Sequence, residues 1–211
     1  MVYLYAADVS NLPDGKVCAE LLEVLPKERQ QKIRRSQKDE QRKQSLGAGL
    51  LLEKVFEKHG VCTKDITFAK HGKPEVEGLY FNLSHSGSMV VCAVSEKPVG
   101  CDIEKCKTAP KKVAEHFFGQ REIDYLKELK GDDYDRAFFR LWTMKESYVK
   151  MTGEGASIPF RSFEVVLGLE THVFREELLQ TCEIKEYDIP GYQVAVCTED
   201  LGFSEIIFIS L

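Results

Sequence analysis

Gly87-Ser88-Met89-Val90-Val91-Cys92-Ala93-Val94 is echoed about half a chain later by Gly191-Tyr192-Gln193-Val194-Ala195-Val196-Cys197-Thr198. Each stretch reads as a buried strand entered through a glycine turn. Two central strands can share that pattern without any duplication, so the echo needs support from what surrounds it. Element order supplies the support.

Met1 to Asp8 alternates and predicts a strand. Asn11-Leu12-Pro13-Asp14-Gly15 is turn chemistry, with a short helix expected after it. A helical region starts near Pro26, a residue tolerated in a first turn. Ser36 with Asp39 resembles a capping signal that restarts a helix to about His59. Short strands follow at Ile66–Ala69, Leu79–Leu83, Met89–Ser95 and Val99–Ile103. Helices return from Lys111 to about Leu129 and from Asp132 to about Met151. Strands close the chain at Phe163–Leu167, Cys182–Tyr187, Tyr192–Thr198 and Ile206–Ser210. The expectation is an α+β protein of two tandem lobes, residues 1–98 and 99–211, with a ligand groove between them.

The 211 residues are 43% hydrophobic and 30% charged, which is the composition of a folded globular chain rather than a disordered one. The net charge of −5 argues against a general polyanion binder. The apolar runs are too short to cross a bilayer, and the start lacks the basic lead of a signal peptide. Seven cysteines, an odd number with no Cys-x-x-Cys, read as reduced thiols in the cytoplasm rather than a disulfide frame or zinc site.

Four stretches carry residues suited to chemistry. In Val99-Gly100-Cys101-Asp102-Ile103-Glu104, a period of two turns Val99, Cys101 and Ile103 to the core and puts Asp102 and Glu104 on the opposite face. Such a pair can hold a hard cation such as Mg²⁺, although a solvated strand face has the same pattern. In Trp142-Thr143-Met144-Lys145-Glu146-Ser147-Tyr148-Val149-Lys150, Trp142, Glu146 and Lys150 share a helical face. Glu146 and Lys150 fit an ordinary surface ion pair as well as a metal ligand or base beside a phosphate-binding lysine.

Phe81-Asn82-Leu83-Ser84-His85-Ser86-Gly87-Ser88 reads as a strand entering a turn whose hydroxyls and imidazole suit an anion, or a plain hydrogen-bonded turn. Adjacent strand residues point apart, so Ser84 and His85 make a poor nucleophile–base pair. Residues 27–43 hold eight bases (Lys27, Arg29, Lys32, Arg34, Arg35, Lys38, Arg42 and Lys43) against three acids. No aromatic side chains are interleaved for base stacking, so a phosphorylated small molecule or an acidic protein suits this run better than nucleic acid. Gly72-Lys73-Pro74 adds a lysine in a tight turn.

In this order, Gly72-Lys73-Pro74, Phe81 to Gly87, Gly100 to Glu104 and Trp142 to Lys150 resemble the signature of the Sfp-type 4′-phosphopantetheinyl transferases. Gly153-Glu154-Gly155 and Ile158-Pro159 are similar to that family's segment after the long helix. The resemblance implies two similar lobes in a pseudo-twofold arrangement, a monomer, and an active site between the lobes. It implies Mg²⁺, with Mn²⁺ as a substitute ion, and coenzyme A as co-substrate. The 4′-phosphopantetheine arm would pass to a serine of an apo acyl carrier protein or peptidyl carrier domain, releasing adenosine 3′,5′-bisphosphate.

By the same resemblance Asp102, Glu104 and Glu146 hold the metal. Glu146 is the candidate base, and Lys150 meets charge on the pyrophosphate. Ser84, His85 and Lys73 contact coenzyme A phosphates, with the 3′-phosphate left to Lys32, Arg34 or Arg35. Cys101 stands where the family more often has an aliphatic residue, a change neutral for packing. Lys111-Lys112-Val113-Ala114-Glu115-His116-Phe117-Phe118-Gly119-Gln120-Arg121 resembles the family's carrier-docking segment, and reads equally as an amphipathic helix packed by Val113, Phe117 and Phe118. The alternative functions are a non-catalytic module that binds coenzyme A or a carrier protein, and a metal-dependent nuclease. Neither nucleic acid nor membrane is an expected partner.

Overall fold

A computed structural model describes residues 1–13, 19–69 and 72–211. The expected turn at Asn11–Gly15 runs into residues 14 and 15, which lie outside the described set. In chain order the first elements are β1 (Val2–Asp8), α1 (Ala19–Glu23), α2 (Lys27–Arg35), α3 (Asp39–Lys58), β2 (Thr67–Phe68), β3 (Pro74–Glu75), β4 (Tyr80–Ser86), β5 (Met89–Ser95) and β6 (Val99–Lys105). They are followed by α4 (Lys111–Phe117), α5 (Gln120–Lys127) and α6 (Gly131–Thr152), then β7 (Phe163–Val166), β8 (His172–Arg175), β9 (Leu178–Leu179), β10 (Glu183–Ile189), β11 (Tyr192–Thr198) and β12 (Phe203–Phe208).

The two echoed stretches are the central strands of two sheets, ordered β12-β1-β5-β4 and β10-β11-β6. Each lobe repeats one plan: a strand (β1 or β6), helices ending in a long one (α3 or α6), then a hairpin (β4–β5 or β10–β11). The expected division at residues 98 and 99 falls in the connection from β5 to β6. At the chain's end β12 pairs parallel with β1, so the N-terminal sheet draws on both ends of the sequence.

Both faces of each central strand are covered. Val90, Cys92 and Val94 pack with Leu46, Leu51 and Val55 of α3, while Met89, Val91 and Ala93 face the other sheet. On β11, Ala195 and Cys197 pack with α6, and Val194 and Val196 join Val99, Cys101 and Ile103 between the sheets. The layers therefore run helix, sheet, sheet, helix. Double-sided burial explains why β5 reads as a continuous apolar run rather than an alternation.

Several boundaries differ from expectation. The helix expected from Lys111 to Leu129 is two helices, broken at Phe118-Gly119. A side chain on Gly119 would collide with Glu164, and the Gly119 N–H donates to Glu122 at 2.7 Å, which starts α5 afresh. Ser36 does not cap α3. Its hydroxyl donates back to Lys32 O and closes α2, while α3 begins after Lys38. Ser84, His85 and Ser86 lie on β4 rather than in a turn, which is left to Gly87-Ser88. The closing strand lies at 203–208, nearer the N-terminus than expected, because its register is set by β1. The strands β3, β8 and β9 are additions.

Candidate active site

Gly100 brings the site together. A Cβ there would run into Ser147 O and Met151 N, so the α6 backbone lies directly against β6. That contact sets Glu146 and Lys150 of α6 over the strand face that carries Asp102 and Glu104. Lys150 does not stay on its own helix: its Nζ lies 2.5 Å from Asp102 Oδ1 and also donates to Cys101 O at 3.2 Å. Burial works to lower the Lys150 pKa, but Asp102, Cys101 and Glu146 together outweigh it and hold the ammonium above its ordinary value.

The edges of β4 and β6 meet across the lobe boundary without a backbone ladder. Side chains of alternate β4 residues take its place. The amide of Cys101 donates to Asn82 Oδ1 at 3.0 Å, that of Ile103 to Ser84 Oγ at 3.4 Å, and that of Lys105 to Ser86 Oγ at 3.0 Å. The two serines in turn donate to the carboxylates, Ser84 to Asp102 at 2.7 Å and Ser86 to Glu104 at 2.9 Å. The turn after them is clasped from both lobes. Gln44 of α3 donates to Gly87 O at 2.9 Å, and the Tyr192 hydroxyl of β11 accepts from Ser88 N at 3.1 Å.

Asp102 is buried, and its second oxygen, Oδ2, has no hydrogen-bond partner. Burial and the neighbouring Asp102 push the Glu104 carboxyl above its ordinary pKa. Burial also raises Glu146, with Asp102 and Glu104 adding to it and Lys150 opposing. Three mutually repelling carboxylates and an unpartnered buried oxygen are the donor chemistry of a hard cation. Among the described residues no three His, Cys, Asp or Glu side chains are arranged to hold a metal ion by themselves. Mg²⁺ needs only one or two protein carboxylates when phosphate oxygens and water complete its shell, so the residues fit that ion as part of a substrate complex.

Glu146 and Lys150 line a cleft of about 530 Å³ with Asn82, Lys73, Phe117 and Phe160. Lys73 enters it from the Gly72–Pro74 turn, with its ammonium on the main-chain carbonyl of Lys150 at 2.7 Å. His85 points to the other face of β4, away from Ser84 and Ser86. His85 is exposed there, and partial loss of solvent around its ring, then the nearby charges of Lys32, Lys150 and Arg29, hold it below the ordinary histidine pKa. A cationic corner is thereby assembled from α2 and β4.

Of the three basic candidates on α2, Lys32 is the one brought to His85. Arg35 shares a shallow hollow with Lys32, and Arg34 is exposed and joins none of these groups among the described residues. Arg29 belongs to the corner, although the candidates drawn from the sequence did not include it. Its spacing of three from Lys32, on one helical face, was the available signal.

A lysine paired with one carboxylate, two more carboxylates acting on it and bases near a histidine are chemistry suited to a phosphate ester. Residues 98–197 match the model of the 4′-phosphopantetheinyl transferase superfamily, and residues 12–97 match that of the N-terminal part of 4′-phosphopantetheinyl transferases. The 4′-phosphopantetheinyl transferase Sfp of Bacillus subtilis is 35% identical over 192 residues, covering 87% of this chain and 86% of that protein. The 4′-phosphopantetheinyl transferase gsp of Aneurinibacillus migulanus is 33% identical over 204 residues, covering 94% of this chain and 86% of that one. A holo-(acyl-carrier-protein) synthase of Bacillus anthracis, solved in complex with CoA (3′,5′-ADP), is 20% identical with a TM-score of 0.42, covering 48% of this chain and 93% of that one. The chain belongs to the 4′-phosphopantetheinyl transferase family and is an enzyme of that activity. Among the described residues no helix is long and apolar enough to cross a membrane.

Proposed function

We propose that the protein moves the 4′-phosphopantetheine arm of coenzyme A onto a serine of an acyl or peptidyl carrier protein, with Mg²⁺ held by Asp102, Glu104 and Glu146. The observation that carries the metal assignment is the buried, unpartnered Oδ2 of Asp102 among two further carboxylates of raised pKa. Mg²⁺ supplies charge neutralisation at the pyrophosphate, which phosphoryl transfer needs more than it needs covalent help.

The chain's own residues do the rest. Lys150, fixed on Asp102, faces the bridging oxygen where negative charge gathers as the pyrophosphate parts. Glu146 takes the proton of the incoming serine, directly or through water. Ser84 and Ser86 orient Asp102 and Glu104 through the bonds already described. Lys32, Arg29 and His85 hold the 3′-phosphate, and adenosine 3′,5′-bisphosphate leaves with it. The rim of the cleft at Phe117, next to the exposed Lys111 and Lys112 of α4, receives the acidic helix of the carrier.

Intact-mass spectrometry of an apo acyl carrier protein incubated with the enzyme, coenzyme A and Mg²⁺ tests the reaction. A gain on the order of 340 Da, one phosphopantetheine unit, that vanishes with EDTA is the expected result. A gain that persists in EDTA removes the metal from the assignment. No gain on acyl or peptidyl carriers removes the proposed acceptor.

A further inference from the structure

The family resemblance hands Lys73 to a coenzyme A phosphate, yet its ammonium is engaged elsewhere. Nζ donates to the main-chain carbonyls of Lys150 at 2.7 Å and Met151 at 3.4 Å. These are among the last carbonyls of α6, which have no partner within the helix, and a cation there meets the negative end of the helix dipole. Beyond them the chain reverses at Gly153 with φ of +72°, and a Cβ at that position would stand 3.6 Å from Lys73 Cδ. The lysine stem therefore lies along the helix end as well as capping it. Burial pulls the Lys73 pKa down, with Glu75 opposing, as befits an ammonium taken out of water to reach carbonyls.

The contact crosses the lobe boundary. Lys73 belongs to the β2–β3 turn of the N-terminal lobe, and α6 belongs to the C-terminal lobe. The carbonyl that Lys73 holds is that of Lys150, whose side chain reaches 2.5 Å to Asp102. We propose that Lys73 is a positioning residue: it pins the end of α6 to the N-terminal lobe so that the Lys150 ammonium stays on Asp102 and in line with the breaking pyrophosphate. The inference rests on the reading of Lys150 as the group that meets that charge.

Steady-state kinetics of the wild type, Lys73→Met, Lys73→Arg and Lys150→Met, each checked for folding by circular dichroism, test it. Positioning predicts that Lys73→Met lowers kcat by about tenfold or more while KM for coenzyme A moves by less than about twofold. Lys73→Arg, which can still donate to two carbonyls, recovers most of the lost rate. A rise in KM that exceeds the fall in kcat marks a phosphate ligand and overturns the proposal. So does an unchanged kcat per folded molecule, whatever happens to the melting temperature. Full activity in Lys150→Met would instead strike down the reading of Lys150, an outcome separable from anything Lys73→Met shows.

Discussion

The hydroxyl of Ser84, on the N-terminal lobe, stands 2.7 Å from Oδ1 of Asp102, on the C-terminal lobe, and donates to it. The same hydroxyl accepts the amide of Ile103 at 3.4 Å and faces the Lys150 ammonium at 3.3 Å. A single serine thus closes the β4–β6 boundary and orients the carboxylate at the centre of the site. Alternation does the spacing: Asn82, Ser84 and Ser86 fall on one face of β4 and meet successive free amides of β6.

Ser84→Ala removes one donor to Asp102 and leaves the Ile103 amide buried without its acceptor. The expected loss of stability is about 1–3 kcal/mol, the desolvation cost of an unmade hydrogen bond. Urea denaturation reads it as a lower midpoint with an unchanged slope. An unchanged midpoint would show that the side-chain ladder contributes nothing net to holding the lobes together.

Gly100→Ala tests the close approach of α6 to β6. The new methyl meets the Ser147 carbonyl and the Met151 amide, both main-chain atoms that cannot rotate aside. Overpacking of this kind costs about 1–3 kcal/mol or more. Because Glu146 and Lys150 ride on the displaced helix, activity should fall by more than the unfolded fraction explains. Thermal melts alongside activity per folded molecule separate the two effects, and a variant with wild-type turnover would detach the helix contact from catalysis.

The parts of this architecture that depend on local pattern were legible in the sequence. The echo between residues 87–94 and 191–198 located both central strands, and the period of two placed Asp102 and Glu104 together against Val99, Cys101 and Ile103. Tertiary decisions were less visible. The β8–β9 hairpin turns at Glu176 and Glu177, both left-handed with φ of 53° and 61°, where a sequence reader looks for Asn-Gly. The choice of Lys150 for Asp102 over its helical neighbour Glu146 depends on the closeness that Gly100 permits. Neither of these is written in a local window.

Lys145, next to Glu146, is fully buried and bonded to both oxygens of Glu122 at 2.8 and 2.9 Å and to Phe163 O at 2.6 Å. Glu122 also accepts the amides of Gly119 and Val165, each at 2.7 Å. Lys145→Met leaves that carboxylate buried without its cation, an expected cost of about 3–5 kcal/mol. A melting temperature close to wild type would mean that water or another donor reaches Glu122 in its place.

Glu146 carries the acid limb of the proposed rate profile. Burial first, then Asp102 and Glu104, raise its pKa, so the base is protonated up to a higher pH than an exposed glutamate would be. A divalent cation among the three carboxylates favours the ionised form and opposes that shift. Raising Mg²⁺ from limiting to saturating should therefore move the acid limb of kcat to lower pH. An acid limb that stays in place across the titration would separate Glu146 from the metal.

His85 gives the opposite sign and a test of the 3′-phosphate corner. Loss of solvent around the ring and the charges of Lys32, Lys150 and Arg29 depress its pKa, so in the free enzyme the imidazole is neutral at neutral pH. A phosphate dianion placed between these groups favours the imidazolium and raises that pKa. Binding then takes up a proton, and affinity for coenzyme A should strengthen as pH falls from 8 through the bound-state pKa, levelling off below the free-state value. The ligand's own phosphates titrate in part of this range, so the comparison that decides is with His85→Asn and with 3′-dephospho-coenzyme A. Each should bind more weakly and with a shallower pH dependence, read by titration calorimetry in two buffers of different ionisation enthalpy. If His85→Asn keeps the wild-type proton uptake, the proton resides elsewhere, and the 3′-phosphate corner is left to Lys32 and Arg29.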